Sequence, residues 1–331
     1  MHSPVASVII VSYNTNDRLR ACLRSIAEQS QALDHEVVVL DNASSDGSAA
    51  MVAAEFPHVR LMVRDQNLGF ARGVNEAVAE ARGEYVILLN PDTIVLDNAL
   101  GRLVDFARKH PNYGLYGGRT LDSHGHLAPS SCWGTQTLWS LTCFALGLST
   151  VLHGNRIFDP ESLGRWERDS VREVGVVTGC LLLALREWFI GLGGFDERFF
   201  MYGEDAELST RSRAAGRANV ITPTATIVHS GGASSPHAGR KLIQIMTARA
   251  TLVRKWRGPA RVYGLAALAT GVWLRAKLVG STRLGGARRD DAPWAVARQE
   301  RALWLPGFSQ PQRVPVFAQQ QHRSRASTPI W

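Results

Sequence analysis

Cysteines are few and unpaired in this 331-residue chain, no apolar run reaches membrane-spanning length, and acidic residues almost vanish from its last third. Cys22, Cys132, Cys143 and Cys180 form no Cys-x-x-Cys pair. That spacing argues against a disulfide framework or a thiolate zinc site and for ordinary buried thiols in a reducing compartment. The N-terminus lacks the basic, apolar, small-residue progression of a signal peptide, so a cytoplasmic location is expected. No stretch approaches the roughly 20 apolar residues of a spanning helix. Two come part way: 138–152, and 262–274, which is apolar but for Gly and Thr. The second is bracketed by Arg254, Lys255, Arg257 and Arg261 on one side and by Arg275 and Lys277 on the other. It reads either as a packing helix or as a helix lying in a membrane interface. Residues 236–331 carry 17 Lys/Arg against 3 Asp/Glu, and residues 1–235 carry 20 against 26. The net charge of +8 is therefore a mildly acidic body with a basic appendage. Such an appendage suits an anionic surface. Too few aromatics are spaced along it to stack bases, so no nucleic-acid partner is expected.

What is present is a 45% hydrophobic chain with a regular first third. Strands are expected at 7–11, 36–40, 59–63 and 85–89, with helices at 17–29, 48–55, 70–81 and 97–109 between and after them. Alternation of this kind predicts a parallel sheet wound by right-handed crossovers. The second half is mixed. Residues 121–133 read as hairpin or loop, 153–172 as a polar, irregular and mobile segment, and 174–177 and 180–185 as strands. A helix is expected over 205–215, stopped by Gly216. Short strands at 219–221 and 225–228 lead to His229, and helices follow at 238–256 and 260–279. From Gly280 the composition predicts a poorly ordered tail.

The clearest local signal is Tyr85-Val86-Ile87-Leu88-Leu89-Asn90-Pro91-Asp92. Five apolar residues form a strand buried on both faces, Pro91 stops it, and a carboxylate stands at its carboxyl end, where open α/β sheets bind ligands. Three further polar clusters follow expected strands or open helices: Asp41, the Asn67–Asn75 segment, and Glu204-Asp205. Singly each has a bland reading. Asp41 suits an Asx turn, Asp205 a helix cap, and Gly69 and Gly73 close helix–sheet packing.

Taken together and in order, the clusters resemble the family 2 glycosyltransferases of the GT-A fold. The matching residues are Val11-Ser12-Tyr13-Asn14, Asp41-Asn42-Ala43-Ser44-Ser45-Asp46-Gly47-Ser48, Asn67-Leu68-Gly69-Phe70-Ala71-Arg72-Gly73-Val74-Asn75, Leu89-Asn90-Pro91-Asp92, Thr178-Gly179-Cys180, and Gly193-Gly194-Phe195-Asp196-Glu197-Arg198-Phe199-Phe200-Met201-Tyr202-Gly203-Glu204-Asp205. The likeness spans about residues 5–257, and the Asn-Pro-Asp form is most similar to the bacterial rhamnosyltransferase branch. It implies an α/β fold: a mostly parallel central sheet flanked by helices, with a C-terminal helical extension. The implied layout is a catalytic domain over 1–235, whose nucleotide-sugar half is 1–118 and whose acceptor half is 119–235. Helices at 236–280, with possible membrane-surface contact, and a basic tail at 281–331 complete it.

The resemblance also implies roles. Ser12, Asn14, Asp41, Asn67, Gly69, Arg72, Asn75, Asn90 and Asp92 would bind the donor, Asp41 by accepting from the pyrimidine imide N–H. Asp92 would hold Mg²⁺ or Mn²⁺ at the diphosphate, with His229 as a second ligand. Asn90 stands where many relatives have a first Asp. Asp205 would be the general base of a single inverting displacement, and Glu204 would orient the acceptor. The expected activity is one-sugar transfer from a dTDP- or UDP-sugar, dTDP-rhamnose favoured, to a polyprenyl-linked saccharide in envelope polysaccharide synthesis. The expected location is the inner face of the cell membrane. A Gln-x-x-Arg-Trp motif is missing, since Gly164-Arg165-Trp166 lacks the Gln, which argues against a processive synthase. A sugar nucleotidyltransferase would need a Gly-rich, Arg/Lys-bearing loop after the first strand, where Val11-Ser12-Tyr13-Asn14-Thr15 stands. A non-catalytic binding module of the same fold is the other alternative, and the retained carboxylates speak against it.

Overall fold

The computed structural model describes residues 3–230, 238–281 and 292–309. In chain order the elements are β1 (Ala6–Ser12), α1 (Asn16–Gln29), β2 (His35–Asp41), α2 (Ser48–Glu55), β3 (Arg60–Val63), α3 (Phe70–Ala79), β4 (Tyr85–Leu89), β5 (Thr93–Val95), α4 (Ala99–Lys109), β6 (Leu115–Leu121), β7 (Cys132–Trp133), α5 (Leu138–Ala145), α6 (Leu148–Val151), β8 (Arg172–Val174), β9 (Val176–Val177), β10 (Leu181–Leu185), α7 (Arg186–Gly191), α8 (Glu204–Ala214), β11 (Asn219–His229), α9 (Ala238–Arg254), α10 (Gly258–Ser281), α11 (Pro293–Gln299) and α12 (Arg301–Trp304).

The central sheet runs β3-β2-β1-β4-β10-β6-β11-β5, with β8 paired to β11. Its first four strands are parallel, as the alternation predicts. Beyond β4 the sheet is mixed. β10 lies antiparallel to both β4 and β6, and β11 runs parallel to β6. Strand polarity thus brings the carboxyl ends of β1, β2, β4 and β11 and the amino end of β10 to one edge of the sheet.

Alternation of side chains buries both faces. Val8, Ile10, Val39, Ile87 and Leu89 join Leu19, Ile26 and Leu103 of α1 and α4 on one side. Ile9, Val11, Val38, Leu40, Val86 and Leu88 join Val74 and Val78 of α3 and Leu208 of α8 on the other. Each such side chain contributes about 1.5–3 kcal/mol by leaving water.

Several elements differ from the sequence expectation. β6 is absent from it because Gly117 and Gly118 interrupt the strand pattern. The reason for those glycines is close approach: a Cβ on Gly118 would lie 2.3 Å from the Ala225 carbonyl oxygen. The strands expected at 219–221 and 225–228 are one strand, β11, whose register with β6 breaks between Ile221 and Thr226, around Pro223. The strand at 174–177 is two, β8 and β9. Residues 153–172 are irregular but well tied. Asp159 accepts from the Gly154 N–H at 3.0 Å and pairs with His153 at 2.9 Å, and Arg168 is buried.

A third core departs most from expectation. Leu141 and Phe144 of α5 pack with Ile243, Met246 and Val253 of α9, Leu268 and Val272 of α10, Ala297 of α11 and the fully buried Trp304 of α12. The reading of 281–331 as a poorly ordered tail is therefore corrected over 293–308, where Trp304 and Phe308 supply the apolar anchors. The rest of that segment, 282–291 and 310–331, lies outside the described residues.

Candidate active site

Asp41 ends β2 beside Ser12, the last residue of β1, and the two are register partners. The Asp41 side chain is 1% exposed. Its Oδ1 accepts the Ser44 backbone N–H at 2.9 Å, closing the expected Asx turn. Its Oδ2 is buried and has no hydrogen-bond partner. An unmet buried acceptor costs on the order of 1–3 kcal/mol.

Ser12 Oγ lies 2.8 Å from Thr15 Oγ1. Asn14, at φ +53°, gives its backbone N–H to Ser44 Oγ at 3.0 Å and accepts the Ser45 N–H at 2.8 Å. Both therefore shape the loops around Asp41. So does Asn42, which the sequence reading quoted without a role. Its amide donates to the Gly69 carbonyl at 3.0 Å and accepts the Leu68 N–H at 3.1 Å, joining the loop after β2 to the loop before α3.

In that second loop Asn67 Oδ1 accepts the Gly69 N–H at 2.9 Å. Gly69 has φ +82°, and a Cβ there would stand 2.5 Å from the Phe200 carbonyl oxygen. That oxygen accepts the Phe70 N–H at 2.7 Å, which docks the loop against the segment preceding α8. Arg72 pairs with Glu76 at 3.0 Å, and Arg64 holds the same carboxylate at 2.8 Å. Asn75 has a different job from the expected one of binding donor. Its Oδ1 accepts the Phe195 N–H at 2.8 Å, and its Nδ2 donates to the Phe195 carbonyl at 2.9 Å and to Glu197 at 3.1 Å. The amide is used up in holding the 194–197 loop to α3.

Past β4, the Asn90 N–H donates to the Cys180 carbonyl at 3.3 Å. Asp92, 9% exposed, has Oδ1 3.1 Å from His229 Nε2, and the Asn90 Nδ2 lies 3.2 Å from the same ring nitrogen. One Nε2 cannot donate to Asp92 and accept from Asn90 in the same tautomer. The cluster has more polar atoms than its internal bonds satisfy. Burial alone would push the Asp92 carboxyl up, but hydrogen bonding and charge from His229 hold it below its ordinary value. A carboxylate oxygen and an imidazole nitrogen side by side suit a hard divalent cation that completes its shell with phosphate oxygens and water. Among the described residues no group of three or more His, Cys, Asp and Glu side chains is placed to hold a metal unaided.

Glu204 and Asp205 open α8, after Gly203 at φ +92°. Asp205 Oδ1 accepts the Ala206 N–H at 2.7 Å, and Oδ2 accepts the Gly179 N–H at 3.3 Å, next to Cys180. Burial raises its pKa despite those bonds. Glu204 is buried, its Oε2 has no partner, and burial together with the Asp205 charge pushes its pKa well up. Burial, then the charges of Glu204 and Asp92, push the Tyr202 phenol up. Lys241 of α9 stands 5.8 Å from that ring's centre. Tyr202 stands in the Gly193–Asp205 motif without a role legible from the sequence, and Lys241 has no sequence signal beyond its charge. A separate open cavity of about 540 Å³, lined by Arg156, Arg165 and Trp166 among others, involves none of the site carboxylates.

The family model for glycosyl transferase family 2 matches residues 7–133. A Mycobacterium tuberculosis protein, N-acetylglucosaminyl-diphospho-decaprenol L-rhamnosyltransferase, is 34% identical over 241 residues, covering 68% of this chain and 76% of that one. The Myxococcus xanthus O-antigen biosynthesis protein RfbC is 29% identical over 235 residues, 70% of this chain and 18% of its own. Among solved structures, the mannosyltransferase PcManGT from Pyrobaculum calidifontis, in complex with GDP-Man and Mn²⁺, superposes with a TM-score of 0.53 at 21% identity. That likeness covers 92% of this chain and 82% of PcManGT and speaks to fold.

Proposed function

The chain belongs to glycosyl transferase family 2, rhamnosyltransferase-like in sequence, and from that premise we propose that it moves one sugar from a dTDP- or UDP-sugar to a hydroxyl of a lipid-linked saccharide, with inversion. dTDP-rhamnose is the favoured donor. The observation that carries the reading is convergence. Asp41 ends β2, Asp92 follows β4 and Asp205 accepts the Gly179 N–H just before β10, three strand ends at one edge of the sheet; the first keeps a buried, unpartnered oxygen and the last has a raised pKa.

In this reading Asp41 Oδ2 accepts the imide N–H of uracil or thymine, while Ser12, Asn14 and Asn42 keep its turn rigid. Asp92 and His229 would hold Mg²⁺ or Mn²⁺, which neutralises the diphosphate as it leaves. Asn90, bonded through its backbone to Cys180, offers its amide to donor hydroxyls. Asp205 takes the proton of the attacking hydroxyl, and its raised pKa places it nearer the working pH of a general base than an exposed carboxylate would be. The partly unmet Glu204 orients the acceptor. The mycobacterial relative's name, with its decaprenol-linked acceptor, supports a polyprenyl diphosphate carrier and a place in envelope polysaccharide synthesis. A location at the inner face of the cell membrane is consistent with that carrier.

The test is a panel of dTDP- and UDP-sugars with a polyprenyl diphosphate–saccharide acceptor, the product's anomeric centre read by NMR. Inverted product from one donor, and turnover cut on the order of 100-fold or more in Asp205→Asn, is the expected result. Retained configuration, or near-native turnover in the variant, contradicts the assignment.

A further inference from the structure

We propose that α5, α6 and α10 form one composite face that seats the protein on an anionic lipid bilayer. The proposal deepens the reading of a lipid-borne acceptor and rests on it for its purpose, but its observations are independent of the donor site.

Within α10, residues Val262, Ala266, Thr270, Trp273 and Lys277 recur at helical spacing and are all exposed. The opposite side of the same helix packs into the third core through Leu268 and Val272. Among the described residues, nothing covers this largely apolar second side of the helix. Val262 is 66% exposed and Trp273 49%. The α5–α6 pair presents a matching surface: Leu138, Trp139, Leu146, Val151 and Leu152 are exposed, Val151 at 81%.

The two surfaces are continuous. Thr142 Oγ1 of α5 lies 2.7 Å from the Tyr263 hydroxyl of α10, and a Cβ on Gly147 would lie 3.2 Å from Leu274. Trp139 extends the face by donating its indole N–H to the Ile157 carbonyl at 2.6 Å, beside the exposed Ile157 side chain. Beneath, Arg275 locks the pair to α10. It is 7% exposed, donates to the Phe144 carbonyl at 2.7 Å and to Thr150 Oγ1 at 2.8 Å, and lies 3.9 Å over the Phe144 ring. A clamp of this kind makes the exposed side chains one rigid surface. Scattered apolar residues on a mobile hairpin would not form one.

Charge selects the occupant. No Asp or Glu occurs within α5, α6 or α10, whereas α10 carries Arg261, Arg275 and Lys277. Arg261 and Lys277 are exposed on α10, and Arg156 is exposed in the loop that follows α6. Apolar aromatics on helices that carry cations and no acid match an anionic headgroup layer, and the exposed Glu167 and Asp169 lie off those helices, in the cavity beside Ile157. A second copy of so basic a face would repel its twin. No described helix is long and apolar enough to cross the membrane, so the face rests on the surface.

The experiment is co-sedimentation of the full chain with vesicles of phosphatidylcholine alone and with added phosphatidylglycerol, without donor or acceptor. The expected result is binding that needs the anionic lipid. Trp139→Ser with Trp273→Ser should weaken it about tenfold, and Lys277→Glu about fivefold or more. Nucleotide binding should stay at wild-type strength in both variants, which checks folding. Wild type left in the supernatant overturns the proposal, as does undiminished binding by both variants. A concentration-dependent dimer abolished by the Trp pair would assign the face to a second copy instead. Vesicle binding without transfer to any lipid-linked acceptor would defeat the functional reading and leave this one standing.

Discussion

At the scale of single residues, two carboxylates of the site, Asp41 and Glu204, each keep one buried oxygen without a partner. Glu204 makes the clearest case. Burial and the neighbouring Asp205 raise its pKa, so the folded chain keeps this proton where the unfolded chain loses it. The sign follows from linkage. Near pH 4 and below both states are protonated and there is no penalty. As pH rises past the ordinary glutamate range, the unfolded state ionises first and stability falls. Glu204→Gln should therefore be more stable than wild type at pH 8, on the order of 1 kcal/mol, with the gap closing toward pH 4. Urea unfolding at both pH values checks this, and parallel curves for the two proteins would contradict it. Asp92 has the opposite sign. Its lowered pKa contributes stability that is present above the ordinary aspartate range and is lost as pH falls below it. Sequence could name Asp41, Asp92 and Asp205 because each follows a strand or opens a helix. It could not distinguish Asn75 as a clamp from Asn75 as a ligand. Its partners, Phe195 and Glu197, lie 120 and more residues away.

At the scale of elements, loops do the positioning. Gly69 opens α3 with φ +82° and lets the Phe200 carbonyl approach, so the donor-side loop and the segment leading into α8 are held together. Gly69→Ala should cost about 2–4 kcal/mol, from strain at positive φ plus the clash with Phe200. It should also weaken nucleotide binding while the β1–β4 core persists. Hydrogen exchange checks this by loss of protection confined to the loops around 67–70 and 195–203, and unchanged protection there would contradict it. The parallel half of the sheet was legible because β1 to β4 are uninterrupted apolar runs separated by amphipathic helices. β6 and β5 were not. Gly117 and Gly118 make sense only against Ala225 and Ile221, and β5 is three residues long and defined by its pairing with β11.

At the scale of the molecule, the C-terminal helices are built into the body. Lys255, just past α9, pairs with Asp196 at 2.9 Å and with the buried Glu207 of α8. α10, α11 and α12 bury Leu141, Phe144 and Val253. Composition reads the region as a basic appendage, because net charge is visible in sequence and the burial of Trp304 is not. Removal of residues 258–331 should consequently expose the third core and yield aggregation or a substantial loss of stability, read by light scattering and thermal unfolding. A monodisperse truncated enzyme with wild-type melting behaviour would contradict this.

In the proposed enzyme Asp41, Asp92 and Asp205 serve one ligand. Calorimetry of dTDP and UDP binding to wild type, Asp41→Asn, Asp92→Ala and Asp205→Asn, each with and without Mn²⁺, tests it most directly. The predicted result is Mn²⁺-enhanced binding by wild type and Asp205→Asn, loss of the Mn²⁺ effect in Asp92→Ala, and affinity reduced about 10- to 100-fold in Asp41→Asn, whose amide replaces an open carboxylate oxygen. Binding by Asp92→Ala and Asp41→Asn that matches wild type under both conditions would contradict it.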